Sequence, residues 1–252
     1  MPGECNDLIV DDGNLVCSHC AHSYPIKKGI VYFIYPQELK GINRHFARTY
    51  DWYSHVYTLL TKLAFLPFGG EYKARMEILD RLELNNGRIL EVSIGPGVNL
   101  PYLFMSQNAG EVFGLDISLG QLARCNNLIA RKNWSVDLFW GMAEALPFKS
   151  DTFDSVFHIG GINFFSGKKE AIDEMIRVAR PGSKIVIADE SERVAKRFSY
   201  IPGFPRSYRG RKLDTSVPIH LVPETMEKVR IDGIWKAHGQ YHGYCLEFRK
   251  PL

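Results

Sequence analysis

The sequence predicts an α/β protein: a doubly wound, mainly parallel sheet that ends in an antiparallel hairpin and is preceded by a small β-rich cap. Three observations predict it. From Gly87 onward, short apolar strands alternate with helical segments, a pattern that calls for parallel strands covered on both faces. The stretch Lys228 to Lys250 reads instead as two strands around His238-Gly239. Residues 1–36 differ in texture, with three of the five cysteines and short β-like runs.

The elements follow in order. Asn14 to Cys17 and Ile30 to Ile34 are the β-like runs of the cap, with Tyr24-Pro25 and Lys28-Gly29 as turn signals between them. Asn43 to Leu66 has helical spacing, with Phe46, Tyr50, Tyr53 and Tyr57 three or four residues apart. Pro67-Phe-Gly-Gly70 breaks it, and Tyr72 to Leu84 is a second helix stopped by Asn85-Asn86-Gly87. Then come strand Arg88–Ser93, helix Asn99–Ser106, strand Glu111–Asp116, helix Gly120–Arg131, strand Val136–Trp140 and strand Thr152–Ile159. Helix Lys168–Ala179 is stopped by Pro181-Gly182, and Lys184–Ala188 is a buried strand. The division expected is a cap over 1–36, a helical lid over 37–87 and a core over 88–252 with a loop at 192–224.

Composition excludes several classes. At 252 residues with 45% hydrophobic and 23% charged residues, the chain is neither disordered nor fibrous. A net charge of +3 is far from the footprint of an obligate nucleic-acid binder. No apolar run approaches the ~20 residues of a membrane span. Met1 to Asp7 lacks the basic-then-apolar order of a secretory signal. The expectation is a cytoplasmic protein of enzyme size, with no disulfide scaffold.

Ile89-Leu-Glu-Val-Ser-Ile-Gly-Pro-Gly-Val-Asn-Leu100 is the most informative segment. A strand runs into a glycine turn and then a helix. Gly95 and Gly97 let backbone approach a ligand, and the helix start offers unpaired N–H donors. Asp116, about 20 residues on at the end of the next strand, occupies the position that hydrogen-bonds a ribose diol. Glu91, just before the loop, would repel a pyrophosphate and attract a cation. That pair disfavours a nicotinamide dinucleotide and suits an adenosyl sulfonium.

Five segments appear in order: Glu91-Val-Ser-Ile-Gly-Pro-Gly97, Gly114-Leu-Asp-Ile-Ser118, Gly141-Met-Ala-Glu-Ala-Leu-Pro-Phe148, Phe153-Asp-Ser-Val156 and Arg180-Pro-Gly182. Together they resemble a class I S-adenosylmethionine-dependent methyltransferase of Rossmann-like fold, in the ubiquinone/menaquinone C-methyltransferase branch. The resemblance runs from about Arg44 to the C-terminus. It implies that Glu91, Ser93, Gly95 and Gly97, with Asn99, hold the methionine end of S-adenosylmethionine, and Asp116 its ribose. Ile117 would pack on the adenine, with Met142 and Ala143 along its edge. His158 would stand where the fourth strand opens onto the cofactor. Tyr50-Asp51 and Tyr57 resemble the Tyr-Asp pair of the family's lid helix. Ser93 stands where the family has its first glycine, and Met142 replaces the usual Asp.

Methyl transfer from a sulfonium needs alignment more than a nucleophile, which agrees with the lack of any Ser-His-Asp or Cys-His constellation. A base depends on the acceptor. His158, Tyr50, Tyr57 and His220 are candidates, His158 and Tyr57 foremost. The competing reading makes the tyrosine stripe core and His158 a satisfied core histidine.

Cys17-Ser-His-Cys20 followed by Tyr24 to Ile30 resembles a small zinc-ribbon module of the kind that precedes some methyltransferases, including a ribosomal RNA guanine methyltransferase. Cys5 is a candidate third ligand and His19 or His22 a fourth, but a lone Cys-x-x-Cys lacks the paired knuckle. The reading favours a metal-free segment over a zinc site. Cys125 and Cys245 read as buried thiols. In the loop 192–224, basic residues alternate with Phe198, Tyr200, Phe204 and Tyr208, as an acceptor wall or a solvated loop would. The leading expectation is methylation of a small quinone-like, phenolic or other metabolite. The alternatives are an RNA methyltransferase using the cap and basic loop, or a cofactor-binding protein without turnover.

Overall fold

Ile89 and Leu90 are chain neighbours that bury themselves on opposite sides of one sheet, and the same alternation sorts most of the central strands. The computed structural model describes residues 8–198 and 216–252, with only the backbone course of residues 42, 46, 52–58, 60 and 196–198. Its strands are β1 (Leu8–Asp11), β2 (Asn14–Cys17), β3 (Ser23–Lys27), β4 (Ile30–Tyr32), β5 (Arg88–Val92), β6 (Glu111–Asp116), β7 (Val136–Trp140), β8 (Phe153–Ile159), β9 (Ala179–Glu190), β10 (Glu227–Ala237) and β11 (Gln240–Arg249). Its helices are α1 (Gly41–Phe65), α2 (Glu71–Leu79), α3 (Leu100–Leu103), α4 (Leu119–Lys132), α5 (Lys168–Val178) and α6 (Glu192–Phe198).

All described strands join one sheet, in the order β1-β2-β3-β4-β7-β6-β5-β8-β9-β11-β10. Strands β4, β7, β6, β5, β8 and β9 run parallel, while β11 returns antiparallel beside β9 and β10 beside β11. One face is covered by Ala74, Ile78 and Leu79 of α2, Leu100 and Leu103 of α3, and Leu122, Cys125 and Ile129 of α4. The other is covered by Ala171, Ile172, Met175 and Val178 of α5. The predicted doubly wound sheet with a terminal hairpin is what forms.

The chain departs from β5 through β6 and β7 in one direction, then crosses back to β8 on the other side of β5. Such a switch leaves a crevice outside the carboxyl ends of the central strands. Helix α1 lies across that end. Its Asn43 reaches Met142 Sδ after β7 (3.6 Å), and its Asp51 reaches Gly120 after β6 (2.7 Å). Its Tyr50 ring stands 6.3 Å from Phe164 after β8, and its Phe65 packs 5.2 Å from Trp235 of β10.

Several boundaries depart from those expected, among them α2, which stops at Leu79 rather than Leu84. Tyr24-Pro25 is not a turn but lies within β3. There β4 pairs only with Ile26 and Lys27, so one side of β3 is open where proline lacks its donor. Strand β4 of the predicted cap extends the main sheet, pairing Ile30, Val31 and Tyr32 with Leu138, Phe139 and Trp140. Helix α5 ends at Val178 and β9 starts at Ala179, earlier than read, because the residue before Pro181 is pushed to extended backbone. Lys28-Gly29 does turn, with φ of 52° and 76°.

Candidate cofactor site

The end of β5 buries a carboxylate. Glu91 is 1% exposed, because its neighbours Leu90 and Val92 fix the strand in the middle of the sheet. Its Oε1 accepts from Asn99 Nδ2 at 2.6 Å. Asn99 Oδ1 accepts from Arg75 Nη1 at 2.6 Å, and Arg75 Nε donates to Glu71 Oε1 at 2.9 Å. The Arg75 guanidinium also lies 5.2 Å over the Phe65 ring. Glu91 Oε2, by contrast, has no partner among the described residues. Burial pushes the Glu91 carboxyl up to about 8, against the pull of Asn99 and Arg75, and nearby Asp116 adds to the rise.

The loop that follows turns on left-handed backbone. Ser93, Gly95 and Gly97 have φ of 63°, 57° and 76°. Their roles differ. A Cβ at Gly95 would meet nothing within 4 Å, so its backbone faces open space. A Cβ at Gly97 would stand 2.8 Å from Cys125 Sγ and 2.9 Å from Leu100 Cδ1, so that glycine lets α4 pack close.

At the end of β6, Asp116 Oδ2 accepts from Gly95 N and Oδ1 from Ser118 N, each at 2.8 Å. Burial raises this carboxyl to about 6, and Asp51 adds to the rise while the two N–H groups oppose it. Asp51 Oδ1 accepts from Gly120 N at 2.7 Å and from Ser118 Oγ at 2.5 Å. A Cβ at Gly120 would lie 2.9 Å from Asp51 Cα, so that glycine admits α1 to the start of α4. Ile117 O accepts from Trp140 Nε1 at 2.8 Å. Half-buried Met142 and buried Ala143 follow β7. Glu144 Oε1 accepts from Ser166 N, at 2.8 Å, and Ser166 Oγ, at 2.7 Å, tying the loop after β8 to this side.

His158 ends the group on β8, fully buried and 5.0 Å from the Phe165 ring. Its Nδ1 sits 2.8 Å from Val92 O, and its Nε2 has no partner among the described residues. A carbonyl accepts only, so Nδ1 carries the hydrogen and Nε2 the lone pair. Burial lowers its pKa, keeping the ring neutral. Asp189, buried at the end of β9, accepts from Gly161 N (3.2 Å), Asn163 Nδ2 (3.3 Å) and Glu190 N (2.8 Å). Burial and the adjacent Asp189 raise the Glu190 carboxyl.

The sequence-derived residues Glu91, Ser93, Gly95, Asn99, Asp116, Ile117, Met142, Ala143 and His158 thus gather at one end of the sheet. Asn99 stands behind Glu91 rather than beside open space. Tyr50 is half-buried on α1; the Tyr57 side chain lies outside the described residues. His220 is exposed in a short helical turn within the predicted loop 192–224, whose residues 199–215 are outside the described residues. Arg75, Glu71 and Asp189 were not singled out from sequence. The i, i+4 spacing of Glu71 and Arg75 was a visible signal, but nothing tied them to Asn99.

Among the described residues no group of three or more His, Cys, Asp or Glu could hold a metal ion. Cys17 is buried, Cys20 is exposed, His22 packs 4.6 Å from the Tyr24 ring, and Cys5 lies outside the described residues. Cys125 and Cys245 are buried thiols, as expected. Among the described residues no helix is long and apolar enough to cross a membrane.

The residues fit S-adenosylmethionine: an unpartnered buried carboxylate oxygen for an ammonium, open space at Gly95, a second carboxylate for a diol, and apolar Ile117 and Ala143 for a purine. The comparisons agree. Residues 90–187 match the family model described as a methyltransferase domain. Demethylmenaquinone methyltransferase of Renibacterium salmoninarum is 38% identical over 106 residues, 41% of each chain. The ubiquinone/menaquinone biosynthesis C-methyltransferase UbiE of Geobacter sulfurreducens is 30% identical over 152 residues, 59% of each. The chain therefore spans about half the length of these relatives. In fold it is similar to phosphoethanolamine N-methyltransferase 2 of Haemonchus contortus (TM-score 0.62, 15% identity, 85% of this chain and 61% of that one). It is similar also to the [4+2]-cyclase SpnF (TM-score 0.60, 19% identity, 82% of this chain and 97% of that one). Residues 90–187 thus match a methyltransferase domain, within a chain whose fold is similar to that of the solved methyltransferase above.

Proposed function

We propose that the protein transfers a methyl group from S-adenosylmethionine to a small quinone-like or phenolic acceptor. The observation that carries the reading is the pair of buried carboxylates, Glu91 and Asp116, on either side of Gly95, with Glu91 Oε2 unpartnered. S-adenosylmethionine supplies an electrophilic methyl on a positively charged sulfur. Glu91 attracts its ammonium, with Ser93 and Gly95 beside it. Asn99 orients Glu91, and Gly97 seats the loop on α4. Asp116 receives the ribose hydroxyls, while Ile117, Met142 and Ala143 enclose the adenine. Tyr50 and Tyr57 belong to the lid helix, in a lid that runs over residues 37–87.

His158 takes the proton. Its Nε2 lone pair faces no competitor, so it can remove hydrogen from an acceptor hydroxyl or activated ring carbon as the new bond forms. The curated relatives bear names of quinone and lipid methyltransferases, among them a phthiotriol/phenolphthiotriol dimycocerosates methyltransferase of Mycobacterium ulcerans, 29% identical over 140 residues. Those names favour a small-molecule acceptor over RNA.

The test is direct. Calorimetry should give saturable binding of S-adenosylmethionine and none of NADH. Radiolabelled cofactor incubated with fractionated extract should pass label to organic-soluble small molecules. Label entering RNA instead, or heat with NADH alone, would overturn the reading.

A further inference from the structure

The last turns of α1 and the short helical turn Leu66–Phe68 carry apolar side chains that the core does not use. Phe65 and Phe68 point inward, their rings 5.2 and 6.4 Å from Trp235. Leu59, Leu63 and Leu66 point out, at 62%, 52% and 65% exposure, and Tyr72 just beyond the Gly69-Gly70 bend is 54% exposed. Leu59, Leu63 and Leu66 are spaced i, i+4, i+7, so the three leucines share one side of the chain. Exposed leucines that share one side are an apolar patch of the kind that marks an interaction surface.

The charge around them has one sign. Residues 52–70 contain no aspartate or glutamate. Lys62 and Lys73 are exposed within and beside the patch. The nearest acids face elsewhere: Glu71 is paired with Arg75, and Glu77 accepts from Trp235 N. Leucines flanked by lysines, without acids, match the apolar and anionic layers of a lipid surface.

Location gives the patch a use. Phe68 packs 5.1 Å from the His242 ring, and His242 O accepts from Ser191 N at the end of β9. The patch therefore borders the same end of the sheet as His158 and Asp189.

We infer that Leu59, Leu63 and Leu66, with Lys62 and Lys73, dock the protein on an anionic lipid surface beside the mouth of its site. The inference rests on the proposed function only for its purpose, which is to admit a lipid-soluble acceptor from that surface. The docking itself needs no turnover.

Sedimentation of the full chain with phosphatidylglycerol/phosphatidylcholine vesicles tests it, with pure phosphatidylcholine vesicles alongside. Binding to the anionic vesicles that weakens with salt is expected. Leu59→Ser/Leu63→Ser/Leu66→Ser and Lys62→Glu/Lys73→Glu should each lower the partition coefficient about tenfold or more. Val10→Ser, at an equally bare residue on β1, should leave it unchanged. Far-ultraviolet circular dichroism and thermal unfolding show that the leucine variant is folded, and calorimetry with S-adenosylmethionine on the unsubstituted chain separates failure of docking from failure of the cofactor reading. Absent vesicle binding, or binding that the leucine variant keeps, overturns the inference. So does a dimer that the leucine variant makes monomeric with no vesicle binding in either form, since the face would then join two copies of the chain.

Discussion

Asn99 Nδ2 stands 2.6 Å from Glu91 Oε1, fixing one oxygen of the buried carboxylate and leaving the other without a partner among the described residues. With the carboxyl raised to about 8, Glu91 holds a proton near neutral pH until a cation displaces it. Binding of S-adenosylmethionine at pH 7 should therefore release about one proton, read by calorimetry in buffers of differing ionisation enthalpy. Affinity should rise with pH and level off above about 8. Glu91→Gln should bind more weakly, with no such pH dependence. The sign for stability is opposite: a carboxyl raised on folding stabilises at low pH, so the ligand-free protein loses that contribution as pH climbs through about 8.

Asp116 has two duties, charge and the capping of two N–H groups. Asp116→Asn loses the charge and turns an amide NH2 on either Gly95 N or Ser118 N, and should weaken cofactor binding about tenfold or more. Asp116→Ala also leaves Gly95 N and Ser118 N without their acceptor, at a cost of about 1–3 kcal/mol in chemical denaturation.

His158→Asn should keep cofactor affinity within about twofold while lowering methyl transfer about 10²-fold or more. Because burial lowers the histidine pKa, the wild-type rate should hold as pH falls through the ordinary histidine range near 6.5. A rate that declines there as a free imidazole protonates would remove His158 as the base.

Ser93 adopts a left-handed backbone, φ 63°, which costs an L side chain about 1–2 kcal/mol. Ser93→Gly should raise stability by about 1 kcal/mol, and Tm by about 2–4 °C. Thermal unfolding measures it.

Ile30 is 4% exposed and joins β4 to Leu138 of β7. Phe33 N donates to Trp140 O at 3.0 Å, and Trp140 Nε1 holds Ile117 O. Ile30→Ala should cost about 2–4 kcal/mol in stability. By loosening Trp140 it should also weaken cofactor binding, a second effect that calorimetry reads.

What could be read in advance follows from the range of the forces involved. Strands β6 and β7 have the boundaries expected, because each is an apolar run closed by turn chemistry. The terminal hairpin was visible in His238-Gly239, whose φ values are 49° and 76°. Helix α3 is a single turn where two were expected, since Pro101 sits at its start and only four residues keep helical bonds. Glu91, Gly95 and Asp116 were legible because strand-end position and glycine turns are local signals. The chain Glu71–Arg75–Asn99–Glu91 was not, because it forms only when α2 packs against α3. Asp189 was hidden likewise, its partners lying in the loop after β8.

The parallel pairing of Ile30 with Leu138 also fixes an order of events. The hairpins β1–β2 and β3–β4 are local and close early, yet β4 leaves the ribosome long before β7 exists. Loop-closure entropy makes that distant pairing slow. Strands β1 to β4 are thus made before the strand they pair with, and until β4 docks β7 is a bare edge able to capture a strand from another nascent chain.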